Sequence, residues 1–401
     1  MLCAASLAIA PMSLLADSGL QKNVTLDSLF EQALLKSPVL SDIRAKIEGQ
    51  RGLGITTSTL ENPVLDAELR KPRSYDGGRG DDEIALSLSQ PLRASDFGSR
   101  AKVGQLMQNL TDLDAKTELM LFKQKLKLAY VRCWALERRQ RELKHYEVSA
   151  AHIEKSVERA NQAGLLGKGE ALLFTTEIKR ARLELEALGS EATRARAELV
   201  RMVGDAIGGA LEVPSIAVPD VHLSANSEFQ VPAQARAKII MNLAAEQQRQ
   251  ARLDAFPKFA PRIVFERSND GREYVGLGIS LDLPVFNRNQ GERMTRQSEV
   301  DSAKTWSRYI ASPEFEEEMN AIAAHVRAST KLVRGYEDDI VPAIKSALEI
   351  EMRSFDEGNG SPTRVWQALK ELAAVQTEVL ERFAKLHSDS IELTILTGQE
   401  F

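Results

Sequence analysis

The stretch Val275-Gly276-Leu277-Gly278-Ile279-Ser280-Leu281-Asp282-Leu283-Pro284 alternates large apolar residues with Gly, Ser and Asp and stops at a proline. Successive side chains of a strand point to opposite faces, so this spacing predicts a strand with one apolar face and one small, polar face. Upstream, Asn269-Asp270-Gly271 has the composition of a tight hairpin turn, and Ile263 and Phe265 mark the partner strand. The pattern has a twin. Ile84, Leu86 and Leu88 alternate with Ala85, Ser87 and Ser89 before Pro91. Leu65, Ala67 and Leu69 alternate with Asp66, Glu68 and Arg70 before a longer loop, 71–81, rich in Gly and charge.

The twinning extends along the chain. Pro38 recurs as Pro232, Pro63 as Pro257, Gly164 as Gly358 and Gly204 as Gly398, each 194 positions on. Pro91, Gly98 and Arg100 recur as Pro284, Gly291 and Arg293, one residue out of step. Breakers of this kind mark element ends, so a shared set of breakers predicts a duplicated helix–hairpin–long-helix unit. The first repeat spans 17–205, a connector 206–230 holds Pro214 and Pro219, and the second repeat spans 231–401.

In the first half a helix is expected from near Leu26 and Ser37-Pro38 to about Leu60, and in the second from Pro232 to about Ala255. After each hairpin come long helical stretches rich in Ala, Glu, Leu, Lys and Arg. From Ser99 to Gln162 there is no proline, and Gly104 is the one glycine. At 1.5 Å per residue that helix is about 95 Å long. Leu106, Leu110 and Leu113, and again Val379, Phe383 and Leu386, have the seam spacing of helix-on-helix packing. The long helices end in glycine turns at 164–169 and 358–360, and a final helix closes each half at Gly204 and Gly398. In the second half Ser312-Pro313-Glu314 reads as an N-cap with proline at the first helical position, so the long helix is expected to break there.

The chain has 401 residues, 43% of them hydrophobic and only 5% aromatic, with a net charge of −5. The acidic balance gives no reason to expect a nucleic-acid partner. Residues 1–16 are small and apolar and read as a secretory signal peptide, with Leu14-Leu15-Ala16 before the cleavage point. Cys3 lies in that leader, and Cys133 is expected to pack as a small apolar residue. No later window holds the roughly 18 apolar residues of a membrane helix. A membrane span would have to be made of strands. Apolar-out, small-in strands of about 8 to 11 residues suit an outer membrane, but four strands cannot close a barrel and an open edge is forbidden in lipid. Either several chains share one barrel, or the strands form a soluble four-stranded sheet.

Glu61-Asn62-Pro63-Val64-Leu65, 86–92 and Leu281-Asp282-Leu283-Pro284-Val285-Phe286-Asn287-Arg288-Asn289-Gln290-Gly291, with Val341-Pro342 and the paired ends at Leu199, Met202, Gly204 and Leu393, Leu396, Gly398, resemble the TolC family of outer-membrane efflux factors over nearly the whole mature chain. The Asn62-Pro63 strand start and the 284–291 stretch are most similar to the cobalt–zinc–cadmium-type branch that serves heavy-metal efflux pumps of the RND type. The resemblance implies a mainly α fold with a small β part. It implies a homotrimer whose four strands per chain make a 12-stranded outer-membrane β-barrel above a long α-helical coiled-coil barrel in the periplasm. It also implies a periplasmic adaptor (membrane fusion) protein and an inner-membrane RND-type pump as partners, outer-membrane lipid around the strands, and no cofactor or catalytic group. The cargo, expected to be heavy-metal cations, passes by diffusion.

The resemblance also assigns roles near the glycine turns. Gly164, Leu165, Lys168, Phe355 and Gly358 correspond to the adaptor-docking tip. The family's Tyr-x-x-Gly pattern stands here as Phe355-Asp356-Glu357-Gly358, and Arg364 and Gln367 occupy the positions where the family carries entrance acids. The first-half turn keeps Glu170 at the position paired with Arg364, so a Glu170–Arg364 contact between neighbouring hairpins is the candidate gate.

Other residues carry no chemistry by their spacing. His145 and His152 lie on one helix without further ligands, His222, His325 and His387 are scattered, and Glu314 with 316–318 follows a helix start, where acids favour the dipole. No metal site, nucleophile elbow or phosphate loop is present. The competing architecture is a periplasmic coiled-coil scaffold or adaptor without a membrane barrel. An adaptor carries one hairpin between β-rich domains rather than a tandem repeat.

Overall fold

The computed structural model describes residues 24–71, 82–164, 166–214, 232–268, 270–357 and 359–397. The leader at 1–16, most of the connector, Leu165, Gly358 and Gly398 lie outside these residues.

Two helices, α1 (Leu26–Lys36) and α2 (Pro38–Ser58), stand where one was expected to run on toward Leu60. The break is local chemistry. Pro38 has no N–H to donate, and Ser37 is extended at φ −65°, ψ 122° with its hydroxyl accepting from the Leu40 N–H at 3.3 Å. Strands β1 (Val64–Arg70) and β2 (Glu83–Ser89) follow, then a short 3₁₀ turn at Ala94–Asp96 and the 64-residue helix α3 (Ser99–Gln162), with the expected bounds. Helix α4 (Lys168–Val203) returns to Gly204, whose φ of +81° ends it.

The second half holds α5 (Pro232–Leu253), β3 (Lys258–Arg267), β4 (Glu273–Asp282), α6 (Gln290–Ile310), α7 (Pro313–Gly335), α8 (Val341–Asp356) and α9 (Pro362–Thr397). The break at Ser312-Pro313 is present, with Ser312 capping the Phe315 N–H at 3.4 Å. A second irregularity, a π turn over Tyr336–Ile340, was not expected from the sequence. Pro342 accounts for it. A proline ring crowds the carbonyl four residues back, and the widened turn, with the Val341 N–H reaching the Tyr336 carbonyl, relieves that clash.

The four strands form one antiparallel sheet in the order β1-β2-β3-β4, so the hairpins β1-β2 and β3-β4 are joined edge to edge through β2 and β3. Below it lies a collar of polar contacts that ties the halves together. Glu61 meets both Arg93 and, at 3.7 Å, Lys258; Ser95 bonds Asp254; Ser99 donates to the buried Glu246 at 3.0 Å, which Lys102 also approaches at 3.4 Å.

The helical layer has two main apolar clusters. The upper one gathers Leu29, Phe122, Leu126, Tyr130, Leu199, Val326 and Phe383 from α1, α3, α4, α7 and α9. Cys133 is buried in it, and burial followed by the nearby Glu137 pushes its thiol up to about 12. The lower one joins Tyr146, Ile153, Phe174, Ile178, Val365 and Leu369 near the glycine turns. At 0 to 9% exposure these side chains are the core; of the apolar stripes read from the sequence, Val379, Phe383 and Leu386 are buried as a packing seam, whereas Leu106, Leu110 and Leu113 are half-buried.

Candidate functional site

Residues directly opposite in an antiparallel pair project from the same face, so the register sorts every strand residue. Leu65, Leu88, Ile263 and Leu277 form one cross-sheet row; Ala67, Leu86, Phe265 and Val275 form the next; Pro261 and Ile279, then Phe259 and Leu281, continue it. In these rows the face is apolar across all four strands; the next row, Leu69, Ile84, Arg267 and Glu273, ends it in charge. It is also bare: Leu277 is 86% exposed, Val275 76% and Leu65 69%. The opposite face carries Asp66, Ser87, Val264 and Gly276 in one row, Val64, Ser89, Arg262 and Gly278 in another, and Glu68, Ala85, Glu266 and Tyr274 in a third. Arg70 and Glu68 pair within β1 at 2.8 Å. The sheet thus has one largely apolar face and one largely polar face. Among the described residues its outer edges, on β1 and β4, have no strand partner.

At the far end of the helices the structure sets the two turn regions side by side. Phe174 of α4 meets Trp366 of α9 edge to face at 5.5 Å between centroids, and Lys370 Nζ lies 3.3 Å from Glu177. Gly164 takes φ +73°, a left-handed value that a side chain resists, and its N–H bonds the Asn161 carbonyl at 3.1 Å. Lys168 opens α4 and is exposed, whereas Phe355 is half-buried against the lower cluster. In the second turn the Asn359 N–H reaches the Ser354 carbonyl at 3.0 Å. Glu170, Arg364 and Gln367 are all exposed. Among the described residues no ion pair within the chain joins Glu170 to Arg364.

Between sheet and turns, three features escaped the sequence reading. Tyr336 donates to Glu378 at 3.1 Å while Arg382 grips the same carboxylate at 2.5 Å and lies over the Tyr336 ring at 5.3 Å. Arg382, then Tyr336, hold the Glu378 carboxyl below the usual range. His387 is 1% exposed, with its Nε2 unbonded. Arg262 folds across Gly278. Partners 42 to 46 positions apart, or on different strands, leave no spacing signal in a single sequence. Among the described residues no group of three or more His, Cys, Asp or Glu converges to hold a metal ion, and no helix is long and apolar enough to cross a membrane.

The sequence matches no protein-family model and no curated protein. The structure is similar to several solved proteins. CusC, described for its folding and transmembrane channel formation, aligns with a TM-score of 0.73 at 14% identity over 97% of this chain and 96% of its own. The outer membrane protein VceC of Vibrio cholerae aligns with a TM-score of 0.72 at 15% identity over 94% and 96%. The outer membrane channel MtrE of Neisseria gonorrhoeae aligns with a TM-score of 0.73 at 14% identity over 93% and 88%. At these identities the likeness is one of fold, and the chain has a TolC-like channel fold, mostly helical with one four-stranded antiparallel sheet, over nearly its whole length.

Proposed function

We propose that this chain belongs to the TolC family and is the outer-membrane component of a tripartite efflux pump, a passive exit duct for solutes delivered by an inner-membrane transporter and a periplasmic adaptor. One observation carries the reading: a two-faced sheet, apolar and bare on one side, polar on the other, with both edges open. Unpaired edges are too costly in lipid, and the smallest closed barrels use about eight strands. Three copies supply a closed barrel of 12 strands, with the polar faces turned to water. A helix of 64 residues, about 95 Å long, then carries the duct away from the membrane.

Such a duct needs no reacting group; solute moves by diffusion and the pump supplies the energy. The turn regions around Gly164, Lys168 and Phe355 serve as the adaptor-docking end, and Glu170, Arg364 and Gln367 face the entrance. Heavy-metal cations are the proposed cargo and an RND-type transporter the proposed pump, on the likeness of 61–65 and 281–291 to the metal branch of the family.

The test is extraction from purified outer membranes followed by sizing in detergent and conductance in planar bilayers. The expected result is a trimer-sized species that forms ion-conducting pores. A soluble periplasmic monomer without pores would overturn the duct and return the chain to a coiled-coil scaffold.

A further inference from the structure

Arg262 lies on the polar face of β3 directly opposite Gly278 of β4, and its side chain is laid over that glycine. A Cβ added at Gly278 would come within 2.9 Å of Arg262 Nε and 3.3 Å of its Cγ, while a Cβ at Gly276 would meet nothing within 4 Å. β4 is an edge strand, so the guanidinium is carried across a glycine corridor toward an edge that is unpartnered in this chain. Among the described residues Arg262 makes no ion pair. The opposite edge strand, β1, presents two carboxylates on the same polar face. Glu68 is already held by Arg70 through bonds of 2.8 and 2.9 Å, whereas Asp66, among the described residues, accepts only a 3.3 Å bond from the Ser87 hydroxyl.

We propose that Arg262 is an intermolecular clasp, and that where β4 of one copy meets β1 of the next, its guanidinium pairs with the second copy's Asp66 on the inner wall of the barrel. The occupant of the open edge is thus a second copy of this chain, chosen by charge complementarity between its two edge strands. Strands lie about 4.8 Å apart, which places β3 and the neighbouring β1 about 9.6 Å apart with β4 between them. An extended arginine and an aspartate span that distance only if no side chain rises from β4 between them, a condition that Gly276 and Gly278 meet. The clasp rests on the barrel reading above.

The experiment uses the full chain purified from outer membranes in detergent, reading the half-life of the oligomer on heating. Arg262→Asp is expected to shorten that half-life roughly tenfold, with three modest charge pairs lost at once, and Asp66→Asn to shorten it by about threefold. The double variant Arg262→Asp, Asp66→Arg restores it to within about twofold of the unsubstituted chain, a rescue that independent sites do not show. Because a charge reversal can impair assembly, a second measurement stands beside it. Arg262→Cys with Asp66→Cys, treated with a short bismaleimide, is expected to give covalent oligomers up to the trimer; Cys133 is buried and does not compete. Absence of both rescue and cross-linking in a chain that is still oligomeric overturns the clasp alone. If the unsubstituted chain is itself monomeric and pore-free, the duct reading falls and the clasp with it.

Discussion

His387 packs its ring against Phe383 at 4.8 Å on the inner side of α9, and no partner reaches its Nε2. Burial, followed by the charge of Lys127, depresses its pKa from 6.5 to about 4. Between these two values the unfolded chain binds a proton that the folded chain does not, so stability rises with pH across that window. The contribution is whole above pH 6.5, erodes as the pH falls, and is lost near pH 4. At about 1.4 kcal/mol per pH unit it amounts to at most about 3 kcal/mol. Replacing His387 with Leu should flatten the acid limb of the stability profile between pH 6.5 and 4, as read from denaturation midpoints at a series of pH values. Curves that stay parallel would contradict the assignment. In the sequence His387 was one of three scattered histidines, because burial depends on α3 and α7 arriving from elsewhere in the chain.

At the scale of elements, the close crossing of α2 and α3 rests on glycine. A Cβ on Gly104 would lie 2.8 Å from the Gly54 carbonyl oxygen and 2.7 Å from Ser58 Cβ, whereas one on Gly52, on the exposed side of α2, would meet nothing within 4 Å. Gly104→Ala is therefore expected to cost about 1–3 kcal/mol by forcing the helices apart. Gly52→Ala should stabilise by about 0.4–1 kcal/mol, since it only restricts the unfolded chain. Paired denaturant titrations check the opposite signs. Gly104 was visible in advance as the one glycine in an otherwise unbroken run, but its partner was not. The same asymmetry holds for breaks: Ser312-Pro313 carries its own cap and was legible, whereas the π turn before Pro342 depends on how a continuing helix absorbs a missing donor.

For the whole molecule, the two sheet faces make opposite demands. Leu277 stands on the apolar face at 86% exposure, and its neighbour Gly276 lies on the polar face over open space. Leu277→Arg should cost about 2–4 kcal/mol if it lies at mid-membrane and should block assembly into the outer membrane, while Ser280→Asn, on the polar face, is tolerated. Quantifying folded oligomer in membrane fractions distinguishes them. Equal tolerance at both positions would mean that neither face meets lipid. The turn residues Glu170, Arg364 and Gln367 belong to this scale as well, since in one chain they stand exposed.

The sequence by itself determined what depends on neighbours along the chain. Period-two alternation assigned the strands and their two faces, prolines and glycines marked element ends, the run without proline set Ser99–Gln162, and capping chemistry set the break at Ser312. Only the tertiary structure decided the order β1-β2-β3-β4, the rows that make one face mainly apolar, the burial of His387, the grip of Arg382 and Tyr336 on Glu378, and the path of Arg262 over Gly278. The physical reason is that local propensity and patterning act over a few residues, whereas register, burial and long-range pairing are settled when distant segments compete for the same space.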